Sequence, residues 1–153
     1  SLGAVGGYAS GREELMTYIE HHARSRFFSC NIPPSVIAGA NKGLEIYQKD
    51  RSIVKSLWAN VKSMKNMLEF YGIDTGDSQS QIIPIMINND NKVMAISRRV
   101  CDEGLFVQPI TFPAVAKGTS RLRISVSANH SREDMERATQ ILARVLKESK
   151  IIA

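Results

Sequence analysis

The chain is 153 residues long, 43% hydrophobic and 23% charged, with a net charge of +5. That length supports one domain with a real core, and no apolar run approaches the roughly 20 residues that a membrane-spanning helix needs. Lys and Arg are scattered, as in "SRR" and "RLR"; charge alone leaves a nucleic-acid surface open, and favours a solvated face with an anionic small-molecule ligand.

The two cysteines, Cys30 and Cys101, are far apart and lack metal-ligand spacing, as expected of reduced thiols in a cytosolic protein. No charged-then-apolar leader with a small-residue cleavage site is present, so the expected setting is the cytoplasm. The chain opens on "SLGAVGGYASG". Residues 4–9 are small and apolar and are expected to form a buried strand. Ser10 and Glu13 make an S-x-x-E capping box, predicting a helix to about Ala23 with Leu15, Tyr18, Ile19 and His22 on one side. "RFFSC" is short and aromatic and reads as a brief strand or extended crossing. In "IPP", Pro33 or Pro34 can take the first helical position, where no N–H is needed. Ile37, Ala40, Leu44 and Tyr47 then recur at helical spacing, followed by Val54, Leu57, Val61, Met64, Leu68 and Tyr71, a regular three-four alternation. Gly72 is a natural helix stop. With no proline between, the two segments read as one bent helix or a helix pair.

"IDTGDSQSQ" is a polar connector, and "IIPIMI" a strand whose Pro84 favours an edge or a bulge. "NNDN" caps a helix carrying Val93, Ile96 and Val100 and ending near Gly104; "LFVQPI" is a strand and "TFPAVAKGTS" a loop. "RLRISVS" alternates strictly, placing Arg121, Arg123, Ser125 and Ser127 on one face and Leu122, Ile124 and Val126 on the other. Ser131 and Asp134 start a final helix with Met135, Ala138, Ile141, Leu142 and Val145 inward. From residue 73 the order β-α-β-β-α predicts a small sheet covered by helices, an α+β unit.

Two arginines at i and i+2 behind a Gly-Thr loop offer rigid bidentate forks for a carboxylate or phosphate; the alternative is a sheet edge where both pair with acids. The glycines of residues 3–7 either allow close backbone approach to a ligand or form a plain turn. His21 and His22 read as surface or rim residues and His130 as structural. No metal-ligand cluster and no Ser/His/Asp set can be picked out.

"SLGAVGGY" resembles the stretch that follows the cofactor lysine in the α-oxoamine synthases, pyridoxal-phosphate (PLP) enzymes of the fold-type-I aminotransferase superfamily, with Ser1, Leu2, Gly3 and Gly6 filling their pattern. "FFSCNIPPSVIAGA" is similar to the family's F-S-T-x-x-P-P segment, and "SQSQIIPIMI" resembles S-x-S-P-I-x-P-I. The long segment "GLFVQPITFPAVAKGTSRLRISVSANHSREDM" resembles G-[IL]-x-V-x-x-[IV]-x-x-P-[AT]-V-P-x-G-x-x-R-[LI]-R-[IL]-x-x-[ST]-A-x-H-[ST]-x-x-[DE].

The resemblance implies an α/β protein of which this chain is the C-terminal portion. The end of the large PLP-binding domain would occupy residues 1–32, a connecting helix or helix pair 33–72, and the C-terminal α+β small domain 73–153. It implies that the Schiff-base lysine immediately precedes Ser1. The cofactor's phosphate cradle, the aspartate on its pyridine nitrogen and the histidine that stacks on its ring would lie upstream, so that the chain alone is inactive. The implied reaction condenses an amino acid (glycine, alanine or serine) with an acyl-CoA, giving an aminoketone and CoA, in a homodimer with its active site at the subunit interface. Arg123 maps onto the arginine that clamps the amino-acid carboxylate. Ser29 or Cys30 maps where a hydroxyl reaches the partner subunit's cofactor phosphate, and the basic surface would suit the phosphates of CoA. Three positions depart from the pattern. Ala116 replaces a proline, which implies a less rigid loop; Thr111 stands where one bacterial subfamily carries an additional arginine; Gln81 replaces a common proline. Two other readings stay open: a non-catalytic subunit of a heteromeric synthase, decided by whether lysine precedes Ser1, and a basic nucleic-acid-binding module, decided by a salt-dependent shift.

Overall fold

The computed structural model describes residues 3–152. These form two compact units, one ending at Arg51 and the next beginning at Ser52.

The first unit holds three helices: α1 (Glu13–His22), α2 (Arg24–Phe27) and α3 (Pro34–Lys49). The expected strand over residues 4–9 does not form. Gly3 and Gly6 adopt positive φ of 67° and 111°, so the chain bends, and Val5 is 77% exposed. Glycine is favoured at Gly6 by its positive φ; a β-carbon there would also displace the end of the Ile32 side chain, whose Cδ1 would stand 2.5 Å away. The Ser10–Glu13 capping box is also absent. α1 begins at Glu13 with Arg12 as its N-cap and no side-chain cap bond, so Glu13 and Glu14 instead meet the helix dipole in the first turn. "RFFSC" is not extended: residues 24–27 make a single helical turn. Pro34 takes the first position of α3 and Pro33 its N-cap. The apolar positions of α3 recur as expected, yet no residue of these three helices is buried.

Asp50 is extended, with φ −132° and ψ 113°, so α3 ends before α4 (Ser52–Phe70) and the pair is two helices. The second unit contains α4, β1 (Ile82–Met86), α5 (Asp90–Asp102), β2 (Gln108–Ile110), β3 (Arg121–Ser125) and α6 (Arg132–Glu148). The β-α-β-β-α order after α4 is the expected one. The sheet is antiparallel in the order β1-β3-β2, with Pro84 opposite Arg123 and Gln108 opposite the same residue on the other side. β1 and β2 are both edge strands and each carries a proline, Pro84 and Pro109. The Met86 N–H bonds outward to the Asp74 carbonyl at 3.0 Å. Backbone groups alternate sides along a strand, so the donor that Pro84 lacks would also face the free margin.

One face of the sheet carries the core. Ile83, Ile85 and Leu122 are at most 1% exposed and pack with Val61, Met64 and Leu68 of α4, Val93, Ile96 and Val100 of α5, and Leu142, Val145 and Leu146 of α6. Each such side chain contributes roughly 1.5–3 kcal/mol by leaving water. The helix ends are built locally. Gly72 (φ 67°) closes α4, with Ile73 N–H bonded to Leu68 O at 3.0 Å and Gly72 N–H to Glu69 O at 2.8 Å, the paired bonds of a Schellman stop. Gly104 ends α5 the same way. Asn89 caps α5 through Lys92 N–H, and Ser131 with Asp134 forms the full capping box of α6.

Candidate active-site face

β3 is central, so both neighbours fix its register. Arg121, Arg123 and Ser125 project from the face opposite Leu122 and share it with Ile82, Pro84 and Met86 of β1 and Gln108 and Ile110 of β2. This face bounds a groove of about 780 Å³ whose lining includes both arginines, Ser78, Met86, Ile110 and Ala114. The sheet-edge alternative, in which the arginines pair with acids, is not what forms. Neither guanidinium has a carboxylate within 4.0 Å among the described residues. Arg123 is exposed. Arg121 is partly buried and donates from Nε to the Thr119 carbonyl at 2.9 Å, leaving its terminal nitrogens uncommitted among the described residues. A second concavity of about 330 Å³ lies beside Arg123, with Leu105, Val107 and Met135 among its apolar walls and Gln108, Ser125 and His130 among its polar ones.

The loop before β3 is closed by its own bonds. Ala116 O accepts from the Thr119 amide at 3.1 Å and from Thr119 Oγ1 at 2.8 Å, and Gly118 between them has φ 77°, which is the glycine position of a type II turn. Lys117 Nζ lies 5.1 Å from the centre of the Phe112 ring. Ala116 thus sits at the start of a turn anchored through its carbonyl. On the other side of β1, the Ser78 and Ser80 hydroxyls both donate to Ile82 O, and Lys65 reaches Ser78 O, which fixes the groove's rim to the strand.

After β3 the chain runs through Ser127–His130 into α6. Asn60, on α4, donates its side-chain amide to Ser127 O and His130 O, at 3.0 Å each. Sequence reasoning did not single out Asn60: it stands beside the apolar series of α4, and a lone asparagine on a helix gives no local signal of a partner in a distant loop. His130 Nδ1 faces the Ser127 amide at 3.3 Å, in line with a structural role. At the start of α6, Asp134 is held below the ordinary carboxylate value, chiefly by the hydrogen bond from the Ser131 hydroxyl and then by that from the Ser131 amide.

Ser29 and Cys30 belong to the first unit and are exposed. The Ser29 hydroxyl donates to the Ser25 carbonyl, while Cys30 is a free thiol. His21 and His22 are exposed, His22 stacking on Tyr18 at 4.2 Å. Ser1 and Leu2, where the small-residue motif starts, lie outside the described residues. Among the described residues there is no group of acids, histidines or cysteines suited to a metal, and no helix long and apolar enough to cross a membrane.

Comparison with known proteins gives a consistent picture. The family model described as aminotransferase class I and II matches residues 1–142. The chain is 35% identical over 152 residues to 8-amino-7-oxononanoate synthase of Thermoanaerobacter pseudethanolicus, covering 99% of this chain and 38% of that protein. It is 35% identical over 147 residues to serine palmitoyltransferase of Bacteriovorax stolpii, covering 96% of this chain and 35% of that protein. The chain therefore spans less than two-fifths of the length of these relatives. The solved serine palmitoyltransferase of Sphingomonas wittichii superposes with a TM-score of 0.88 at 25% identity, over 99% of this chain and 39% of that one. The 8-amino-7-oxononanoate synthase of Francisella tularensis superposes with a TM-score of 0.76 at 18% identity, over 92% and 41%, a likeness of fold. The chain belongs to the class I and II aminotransferase family, and its relatives within that family are α-oxoamine synthases.

Proposed function

We propose that this chain is the C-terminal portion of a PLP-dependent acyltransferase that joins an amino acid (glycine, alanine or serine) to an acyl-CoA, yielding an aminoketone and CoA. The observation that carries the reading is Arg123: an exposed guanidinium without an acid partner among the described residues, on the face of a three-stranded sheet opposite Leu122, lining a groove. A planar fork in that setting receives a carboxylate through two parallel hydrogen bonds. Holding the carboxylate fixes the remaining substituents of the amino acid's α-carbon relative to the groove, and such positioning can supply several kcal/mol of the barrier.

PLP, when bound, supplies an electron sink for charge developing at that carbon. Of this chain's residues, Ser29 and Cys30 would meet its phosphate from the neighbouring subunit. Their chemistry suits that task, because both are exposed and each carries a donor that a phosphate oxygen can accept from, the Ser29 hydroxyl turning from the Ser25 carbonyl to do so. The segment boundaries proposed for the parent are residues 1–32 for the end of the large domain, 33–72 for the connector and 73–153 for the small domain, in a cytoplasmic homodimer.

The test is steady-state kinetics of the full-length protein with Arg123→Ala. Loss of charge-assisted hydrogen bonds worth about 1.5–3 kcal/mol lowers kcat/KM for the amino acid by roughly 10- to 100-fold. Arg123→Lys restores only part, since an ammonium cannot reproduce the fork. Unchanged amino-acid kinetics would remove Arg123 from the site and the reading with it.

A further inference from the structure

Arg121 is the feature that the carboxylate clamp leaves unexplained. It shares a face with Arg123, two residues along the same strand, which separates the two side-chain origins by roughly 7 Å. Its Nε is taken by Thr119 O, which aims the rest of the guanidinium instead of neutralising it. Both arginines line the one groove, and among the described residues the only acid lining it is Asp77. Asp77 lies beyond ion-pair distance of either arginine. Met86 and Ile110 flank Arg121 on the two neighbouring strands, and with Ala114 they give the groove an apolar wall beside it. A groove with two unneutralised cations and an apolar stretch suits two separate anionic groups, one of them attached to a hydrocarbon chain.

We infer that Arg121 is a specificity-determining residue that binds a second anionic group, carried by the acyl donor, while Arg123 holds the amino acid. This rests on the functional reading above. The shared chemistry is an anionic oxygen group on a thioester whose acyl chain crosses the apolar part of the groove. Its source is either a carboxylate at the far end of the acyl chain or a phosphate of CoA.

Four donors separate these sources in the full-length protein: a straight-chain acyl-CoA, its ω-carboxyl counterpart, and the N-acetylcysteamine thioesters of both, which lack the phosphates. The readout is the ratio of kcat/KM between donors, for the parent protein, Arg121→Gln and Arg121→Lys. If the acyl carboxylate is bound, Arg121→Gln lowers the ratio of ω-carboxyl to plain donor roughly tenfold or more in both thioester series. If a phosphate is bound, the ratio of CoA to N-acetylcysteamine thioester falls instead. In either case Arg121→Lys keeps part of the ratio that Arg121→Gln loses, because it retains the charge although it lacks the fork and the Nε donor to Thr119. The inference is overturned if Arg121→Gln leaves both ratios unchanged, or if Lys loses as much as Gln, since a bond that merely braces the turn predicts both. Failure of the parent protein to use any of the four donors overturns the functional reading, a result distinct from unchanged ratios in an active enzyme.

Discussion

Asn60 and His130 are seventy residues apart in the chain, and the Asn60 side-chain amide stands 3.0 Å from the His130 carbonyl oxygen. The same amide reaches the Ser127 carbonyl at 3.0 Å and the Ala128 carbonyl at 3.4 Å, so one side chain on α4 gathers three acceptors of the loop that links β3 to α6. Asn60→Ala is expected to cost about 1–2 kcal/mol of stability by removing the amide from these carbonyls, of which that of Ser127 keeps the His130 N–H at 3.3 Å. Asn60→Asp is expected to be at least as costly, because a carboxylate cannot donate. Urea unfolding of the two variants checks this; an Asp variant as stable as the parent would show that the amide is not the holding group.

Asp134 gives the fold a pH dependence of known sign. Its carboxyl is held low in the folded protein by the Ser131 hydroxyl at 2.7 Å and the Ser131 amide at 3.0 Å. A depressed carboxyl stabilises the fold fully above its unfolded value of about 3.9. That contribution is lost as the pH falls through the lower folded value. Asp134→Ala should therefore have a lower Tm than the parent at pH 7, and the gap should close as the pH drops from about 4 towards 2. A gap that stays constant over that interval would mean the carboxylate charge contributes nothing to the cap.

Lys150 occupies the stop position of α6 with φ 54°, and the bonds from Ile151 N–H to Leu146 O and from Lys150 N–H to Lys147 O are both 3.0 Å. Gly72 and Gly104 do the same work for α4 and α5 at no steric cost. Lys150→Gly should raise stability by up to about 1 kcal/mol, the left-handed strain outweighing the added freedom of the unfolded chain. Gly72→Ala should lower it by about 1 kcal/mol or more, although nothing lies within 4 Å of the added methyl. Calorimetric Tm values in opposite directions are the expected result.

Ser120 is fully buried, and its hydroxyl has no hydrogen-bond partner among the described residues. Its carbonyl, by contrast, accepts from the Ile87 and Asn88 amides at 3.1 and 2.8 Å. Ser120→Ala keeps the backbone bonds and removes an unpaired polar atom, so stability should rise by about 1 kcal/mol. A loss of that size in chemical denaturation would mean the hydroxyl is satisfied in solution.

The second unit was largely legible in the sequence because its signals are local and its core lies within it. The spacing of Val61, Met64 and Leu68 selects one helix face, and those residues are buried against partners that this chain supplies. The alternation of "RLRIS" likewise places Leu122 in the core and the arginines outside it. The first unit was read less well. Ser10–Glu13 and Ser131–Asp134 look alike as text, but only Ser131 stands at a helix boundary with an extended backbone, φ −74° and ψ 163°. Two residues, Gly11 and Arg12, separate Ser10 from the first residue of α1. The small apolar run at residues 4–9 and the aromatic stretch "RFFSC" suggested strands or extended chain, but a strand needs a neighbour to bond with, and among the described residues β1, β2 and β3 pair only with one another. At the groove, two unneutralised arginines could be suspected from spacing. Their freedom from acids and the anchoring of the loop by Asn60 depend on side chains remote in sequence, and no periodicity records those.

The prolines on the two outer strands set a limit on what the sheet can become. A β-structure grows by offering its rim to another segment, and each rim here is missing a donor partway along: Pro84 on one side and Pro109 on the other. An incoming peptide finds a broken template at either margin. Extension of the three described strands through either border is therefore disfavoured, and with it polymerisation through the sheet's margins.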